Sequence, residues 1–243
     1  MKQLPRILLL SILLLSCSKK VKYIDKEAKI NIVPLPKSLN LIDPGKHILL
    51  SKKIKVFINF KDNKNLYDLI SNDFKKLSYS NSFELVTNKS MSNLSLEIDK
   101  ELDDEEYEIS IHNKIIIKGG SLNALKMARS TLLQLSVNDK GRMTFPILTI
   151  KDNPDADYRG LLIDLARKWH SAETIYKLID LASFYKVNYL QFHLTDDQLF
   201  TFPSENFPKL QTTDNHYTKE ELSSFVNYAY QRGVIIIPEI DVP

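Results

Sequence analysis

The alternation of apolar and polar positions divides the chain into two parts of different rhythm. From about Ile32 to Ile150, short runs alternate with a period of two: Ile54–Phe60 (IKVFINF), Leu94–Ile98 and Tyr107–Ile111. That is the pattern of half-buried strands. Tyr107–Ile111 and Ile115–Lys118 flank His112-Asn113-Lys114, which predicts a hairpin. Gly119-Gly120-Ser121 then supplies a turn and an N-cap, and behind it Ala124, Leu125, Ala128, Leu132 and Leu135 fall at helical spacing. The pattern predicts a small α+β domain with two helices on one face of a mostly antiparallel sheet. It collects no catalytic residue types and reads as a scaffold or spacer. Pro154 and the three aspartates of Lys151–Asp157 break the pattern and mark its end.

After Tyr158 the rhythm becomes strand, helix, strand, helix, strand. Tyr158–Leu165 is mostly apolar, as a strand buried on both faces would be. Ser171 is placed to cap a helix whose Ile175, Leu178, Ile179 and Ala182 form one apolar stripe. Val187–Leu194 is the next predicted strand. Thr218 and Glu221 have the spacing of a capping box, followed by Leu222, Phe225, Val226 and Ala229 on one face and Gly233 at the helix end. Val234–Ile240 is the third strand. Consecutive strand–helix units of this size imply a parallel sheet, in a (β/α)8 barrel or a doubly wound layout.

The polar residues decide between the two. Each strand runs into chemistry: Asp164 and Arg167 after the first, Asp196 and Asp197 after the second, Glu239 and Asp241 after the third. Barrel enzymes collect their sites at the C-terminal ends of the strands, and no glycine-rich loop follows the first strand as a dinucleotide site requires. The barrel is the better reading. The second strand poses a question of its own: YLQFHLTDDQLF ends in two adjacent carboxylates, which repel one another and are costly to bury unpaired. A polar turn would account for them, since Asp and Thr side chains bond nearby backbone.

Composition and charge narrow the function. The 243 residues are 43% hydrophobic with a formal charge of +3, and the lysines are scattered rather than gathered into a stripe. That bias is too weak to suggest nucleic acid as a partner. At the N-terminus, Lys2 and Arg6 precede an apolar run from Ile7 to Leu15. The run is short of the ~20 residues a spanning helix needs and fits a secretory signal peptide. It ends in Leu14-Leu15-Ser16-Cys17, which resembles a bacterial lipobox, a signal cleaved before a cysteine that carries a diacylglycerol. Cys17 is the one cysteine of the sequence, and lipidation explains a lone exported thiol. The expectation is a leader over residues 1–16, a polar tether over 17–28, the α+β domain over 29–152 and barrel sequence over 155–243, exported and lipid-anchored at the bacterial cell envelope.

RGLLIDLARKWHSAETIYKLIDLASFYKVNYLQFHLTDDQ, then FPKL, then RGVIIIPEIDVP, resemble the opening of the catalytic barrel in glycoside hydrolase family 20, the β-N-acetylhexosaminidases. IVPLPKSL and ALKMARSTLLQL resemble the α+β domain that precedes that barrel. The resemblance implies an incomplete (β/α)8 barrel, its first three strands, behind a small α+β domain. It implies an enzyme that removes terminal non-reducing N-acetyl-D-hexosamine residues from glycans with retention, using the substrate's own acetamido oxygen as nucleophile. No metal or organic cofactor is required. It assigns Arg167 to gripping hydroxyls of the terminal sugar, for which a guanidinium offers a rigid fork of donors. A salt bridge to Asp164 or a neighbouring carboxylate is the competing role. Asp196 matches the aspartate that orients a histidine contacting the catalytic glutamate. Asp197 reads as structural, and His193 as either a core histidine or part of the pocket floor. Glu239 and Asp241 are expected to support the mouth.

The sequence departs from the family where Lys168 replaces a usual histidine and where Leu199-Phe200-Thr201-Phe202 replaces a frequent Gly-Trp-Arg run. The histidine partner of Asp196 and the family's catalytic Asp-Glu pair are expected beyond Pro243, so the chain reads as a fragment that is inactive alone. Two other readings remain open at this point. One is a metal-dependent barrel hydrolase with His193, Asp196 and Asp241 as ligands, for which EDTA sensitivity is the test. The other is a lipid-anchored sugar-binding protein without catalysis, or an inert truncated product.

Overall fold

The computed structural model describes residues 21–241. The expected leader and Cys17 lie outside them. Among the described residues, no helix is long and apolar enough to cross a membrane.

The first half builds one nine-stranded sheet. Its strands are β1 (Lys22–Asp25), β2 (Ser38–Leu49), β3 (Lys53–Ile58), β4 (Ser82–Val86), β5 (Leu94–Ile98), β6 (Tyr107–Ile111), β7 (Ile115–Gly119), β8 (Val137–Asp139) and β9 (Arg142–Asp152). The order is β1-β2-β9-β6-β7-β5-β3-β4, with β8 also paired to β9. Helix α1 (Lys64–Lys76) links β3 to β4, and α2 (Leu122–Leu135) follows β7. The Ser121 hydroxyl caps α2 by accepting from the N–H groups of Asn123 and Ala124. Ala124, Leu125, Ala128, Leu132 and Leu135 are buried in the core shared with Leu96, Ile109 and Ile117.

One expectation for this half is corrected and one gains a detail. The sheet is mostly antiparallel, as expected, but β3 pairs parallel with β4 and β5, and β5 with β7. A helical crossover such as α1 permits parallel neighbours, which a tight hairpin cannot. Residues 22–25, read as polar tether, form β1 along β2, with Lys22 opposite Leu49 and Asp25 opposite Lys46. An otherwise open edge takes up backbone partners whatever their side chains.

The second half holds β10 (Gly160–Asp164), α3 (Ala172–Phe184), β11 (Tyr189–His193), α4 (Lys219–Gln231) and β12 (Ile235–Glu239). The strands form a parallel sheet in the order β10-β11-β12. Ser171 caps α3, Thr218 and Glu221 close a capping box on α4, and Gly233 leaves α4 at φ +77°, where a side chain would be strained. Leu165, Ile175, Ile179, Leu190, Phe192 and Phe225 form a separate core. Tyr176 of α3 and Tyr228 of α4 meet with ring centroids 4.7 Å apart. The expectation that the first strand is buried on both faces does not hold. Leu161 and Leu162 are more than half exposed, because β10 is an edge strand of the described sheet.

The starts of the three strands are pinned by Asn188. Its Oδ1 accepts from Arg159 N–H, its Nδ2 donates to Asp157 C=O, and its own C=O accepts from Ile235 N–H. The two halves meet across α2, whose second face carries buried polar groups. Lys126 Nζ donates to Tyr230 C=O at 2.8 Å, Ser130 Oγ to Ser183 C=O at 2.8 Å, and Arg129 Nη1 to Ser183 Oγ at 3.1 Å. Beside them Lys186 Nζ, buried, reaches Asp152 Oδ2 at 2.9 Å and Tyr107 Oη at 2.7 Å. Arg159 grips Glu105 with both terminal nitrogens, at 2.8 and 2.9 Å. The α+β half is thus docked through a dense polar seam, more than a spacer needs.

Candidate active site

The site lies where the three parallel strands end. The register places Asp164 beside His193 and His193 beside Glu239. In-register residues of parallel strands share a face, so these three side chains form one row across the sheet. The alternation that buries Leu190 and Phe192 in the outer core therefore also aims His193 the other way.

Past β10 the chain turns on Asp164, whose Oδ1 accepts from the N–H groups of Ala166 and Arg167 at 3.2 and 2.8 Å. Arg167 folds back so that Nη1 meets Asp164 Oδ2 at 2.8 Å and Nη2 meets Asp196 Oδ2 at 2.6 Å. Its side chain stays 61% exposed. Since a guanidinium carries five N–H donors, both roles weighed for Arg167 are compatible. Two carboxylates engage Nη1 and Nη2, and most of the side chain remains exposed.

Past β11, Thr195 and Phe200 bridge a short antiparallel turn. Asp196 N–H donates to Leu199 C=O at 3.0 Å. Asp196 Oδ1 accepts from Asp197 N–H at 2.7 Å, and Oδ2 accepts from His193 Nε2 at 3.1 Å as well as from Arg167. Asp197 is exposed and joins the site through its backbone. The carboxylate at the strand end therefore does turn chemistry with one oxygen and ion-pair chemistry with the other. The imidazole that Asp196 meets among the described residues is His193.

His193 is buried, with its side chain 7% exposed, and Nδ1 lies 3.3 Å from Glu239 Oε1 and 3.9 Å from Asp241 Oδ2. Glu239 is held in turn by Gln191 Nε2 at 2.6 Å, and Asp241 N–H donates to Thr195 Oγ1 at 2.8 Å. Glu239 and Asp241 thus flank the Nδ1 side of His193 at the ends of the strands. Gln191 and Thr195 had no assigned role in the sequence, although Gln191 shares its alternation parity with His193. Lys168 is exposed, consistent with a substitution that leaves the site intact.

The electrostatics follow from these contacts. The hydrogen bond to Asp196 raises the His193 pKa above the ordinary imidazole value, with Glu239 adding to it against the effect of burial. The bond from His193 and the backbone N–H of Asp197 hold Asp196 below the usual carboxylate range. The Arg167 backbone and guanidinium do the same for Asp164. Ligand atoms of His193, Glu239 and Asp241 lie within 4.8 Å of one another, so a metal site has to be weighed. A metal needs an unprotonated imidazole nitrogen; here Nε2 and Nδ1 each face a carboxylate, and the bond to Asp196 favours the charged ring. Asp196, a ligand in the metal-dependent reading of the sequence, is not in this group; its Oδ2 is engaged by Arg167 and His193.

Strand–helix units with polar residues gathered at the C-terminal ends of the strands are the layout of a (β/α)8 enzyme. Comparison with known proteins sharpens that class. Residues 157–243 match the catalytic domain of glycosyl hydrolase family 20, and residues 29–153 match domain 2 of the same family. The chain belongs to glycoside hydrolase family 20. A β-hexosaminidase of Vibrio furnissii is 34% identical over 164 residues, 58% of this chain and 27% of the relative. One of Porphyromonas gingivalis is 28% identical over 256 aligned positions, covering 95% of this chain and 33% of the relative. The Vibrio harveyi exo-β-N-acetylglucosaminidase, solved with N-acetylglucosamine, superposes with a TM-score of 0.79 at 26% identity, over 91% of this chain and 38% of that one. The Flavobacterium johnsoniae chitobiase does so with a TM-score of 0.76 at 30% identity, over 88% of this chain and 35% of that one. The chain spans about a third of the length of these relatives, and its fold is that of the family's α+β domain followed by part of the catalytic barrel.

Proposed function

We propose that this chain forms part of a β-N-acetylhexosaminidase that hydrolyses terminal non-reducing N-acetyl-D-hexosamine residues of glycans. The observation that carries the reading is the Arg167 fork, fixed by Asp164 and Asp196 at 2.8 and 2.6 Å yet mostly exposed at the ends of the strands, in a chain of this family. In this reading Arg167 donates to adjacent hydroxyls of the terminal sugar, and its two carboxylate partners remove the entropy cost of placing it. Asp196 serves as an ionised acceptor that orients histidine at the site.

The reading takes its chemistry from an Asp-Glu pair that the family resemblance puts beyond residue 243, in a longer chain. There a glutamic acid protonates the leaving oxygen while the substrate's acetamido oxygen attacks the anomeric carbon. The neighbouring aspartate stabilises the charge developing on the resulting oxazolinium ion, and water opens that ion with net retention. The acetamido requirement makes the assay decisive. The longer protein should cleave aryl β-N-acetylglucosaminides and leave the matching β-glucosides nearly untouched, and the 243-residue chain should cleave neither. Equal rates on the two substrates, or hydrolysis by the 243-residue chain, would overturn the reading.

The same reading extends to location. Lys2, Arg6, the short apolar run and Leu14-Leu15-Ser16-Cys17 support export and acylation of Cys17. A diacylglycerol on that cysteine would hold the enzyme at the cell envelope.

A further inference from the structure

We propose that His193 is a positioning residue: as an imidazolium shared between Asp196 and Glu239, it ties the turn after β11 to the end of β12 and fixes Asp196 for Arg167. This deepens the glycosidase reading and rests on it for the site's purpose, though not for the geometry.

The first support is satisfaction of every partner. Nε2 faces Asp196 Oδ2 at 3.1 Å and Nδ1 faces Glu239 Oε1 at 3.3 Å. A neutral ring has one N–H and would present a lone pair to one of the two carboxylates. A proton on Asp196 Oδ2 would remove the charge that pairs with Arg167 Nη2 at that same oxygen, and Glu239 is already engaged by Gln191. The protonated ring is the state in which no polar atom opposes another.

The second support is position. His193 is the middle of the row Asp164, His193, Glu239 across three strands. The ionisable groups gathered there are four carboxylates, Asp164, Asp196, Glu239 and Asp241, against Arg167 and His193. Four acids at one mouth are mutually repulsive, and the ion pairs Arg167 makes among the described residues are with Asp164 and Asp196. Among the described residues, His193 stands between Asp196 and the β12 side, where Glu239 and Asp241 lie 3.3 and 3.9 Å from Nδ1. The third support is burial. With 7% of its side chain exposed, His193 is poorly placed to grip a sugar, in contrast to Arg167. It acts on substrate through Asp196.

Titration of the 243-residue chain by NMR tests this without turnover. His193→Gln assigns the ring signal among the five histidines of the sequence. The His193 midpoint should lie above the ordinary imidazole value of ~6.5 and should move down in Asp196→Asn and in Glu239→Gln. The carboxyl midpoint of Asp196 should in turn rise in His193→Gln, a response that a packing role would not produce. A midpoint at or below the ordinary value, or one indifferent to both acid substitutions, would overturn the proposal. Should His193→Gln fail to fold, the wild-type and Asp196→Asn titrations of the remaining signals decide it. The assay of the longer protein can fail independently, so the two readings stand or fall separately.

Discussion

Lys186 Nζ lies 2.9 Å from Asp152 Oδ2, joining the turn between α3 and β11 to the last residue of β9. Both side chains are buried, at 3% and 10% exposure, and Tyr107 Oη donates to the same Asp152 oxygen at 2.6 Å. Burial pushes the lysine down from its ordinary pKa. Bonds from Tyr107 and Lys186 hold Asp152 low although burial alone would raise it. Removing one partner of a buried pair leaves the other uncompensated, which costs about 3–5 kcal/mol. Lys186→Met should lower the stability of the whole chain by that order in urea unfolding. A loss within the error of the measurement would show that the seam is solvated and weak.

The seam bears on which parts stand alone. Residues 156–243 carry a small core, exposed Leu161 and Leu162, and the polar groups of α3 and Lys186 that α2 and Asp152 satisfy. Produced separately, they should aggregate or remain unfolded by circular dichroism. Residues 21–155 retain the nine-stranded sheet and its core, and should fold with a lower melting temperature than the full chain.

The site should have opposite limits at low and high pH. The folded pKa of Asp196 and Asp164 is depressed, so their contribution is present above the unfolded carboxylate value and is lost as pH falls through the folded one. The folded pKa of His193 is raised, so its contribution is complete below the unfolded imidazole value and is lost as pH rises through the folded one. The melting-temperature gap between wild type and His193→Gln should therefore be widest in mild acid and shrink on the alkaline side. A gap that widens with pH would contradict the assignment.

In the longer enzyme, Arg167→Ala removes charge-assisted bonds to sugar hydroxyls worth ~1.5–3 kcal/mol each. That is a roughly ten- to hundredfold loss in kcat/KM per bond. Asp196→Asn keeps the shape but loses the charge, so its damage should fall mainly on kcat and distort the pH profile. If both variants only raised KM, the role given to Asp196 would have to be abandoned.

Export can be checked directly. Intact-mass analysis of the protein purified from membranes of its host should show a chain beginning at Cys17 and carrying acyl groups. An unmodified thiol there, or another start, would remove the anchor.

Local periodicity made the second half legible. Ser171, Thr218 with Glu221, and Gly233 bound helices as their chemistry requires, and Tyr107–Ile111 with Ile115–Gly119 forms the expected hairpin. What escaped was non-local. β2 runs through Asp43-Pro44-Gly45, a turn signature, because register shifts absorb it opposite β9. β9 contains Pro146, which argues against a central strand, yet it sits opposite His47 just where β2 resumes after such a shift. Strand ends announced the acidic residues and Arg167 of the site. No spacing rule announced that Asp196 Oδ2 would be shared by Arg167 and His193, since that depends on how the turn at Thr195–Phe200 folds back.

Asn188 fixes where β10, β11 and β12 begin, and Asp164, His193 and Glu239 stand in register five residues along. The distance from anchor to site is therefore counted in residues, and counting tolerates no error. One residue added inside β11 would turn His193 to the opposite face and Phe192 toward the mouth, whereas residues added among 203–211 change only a surface loop. In natural relatives and in engineered variants alike, length variation should be confined to such loops. Insertions between Asn188 and His193 should be found only where the site itself has been given up.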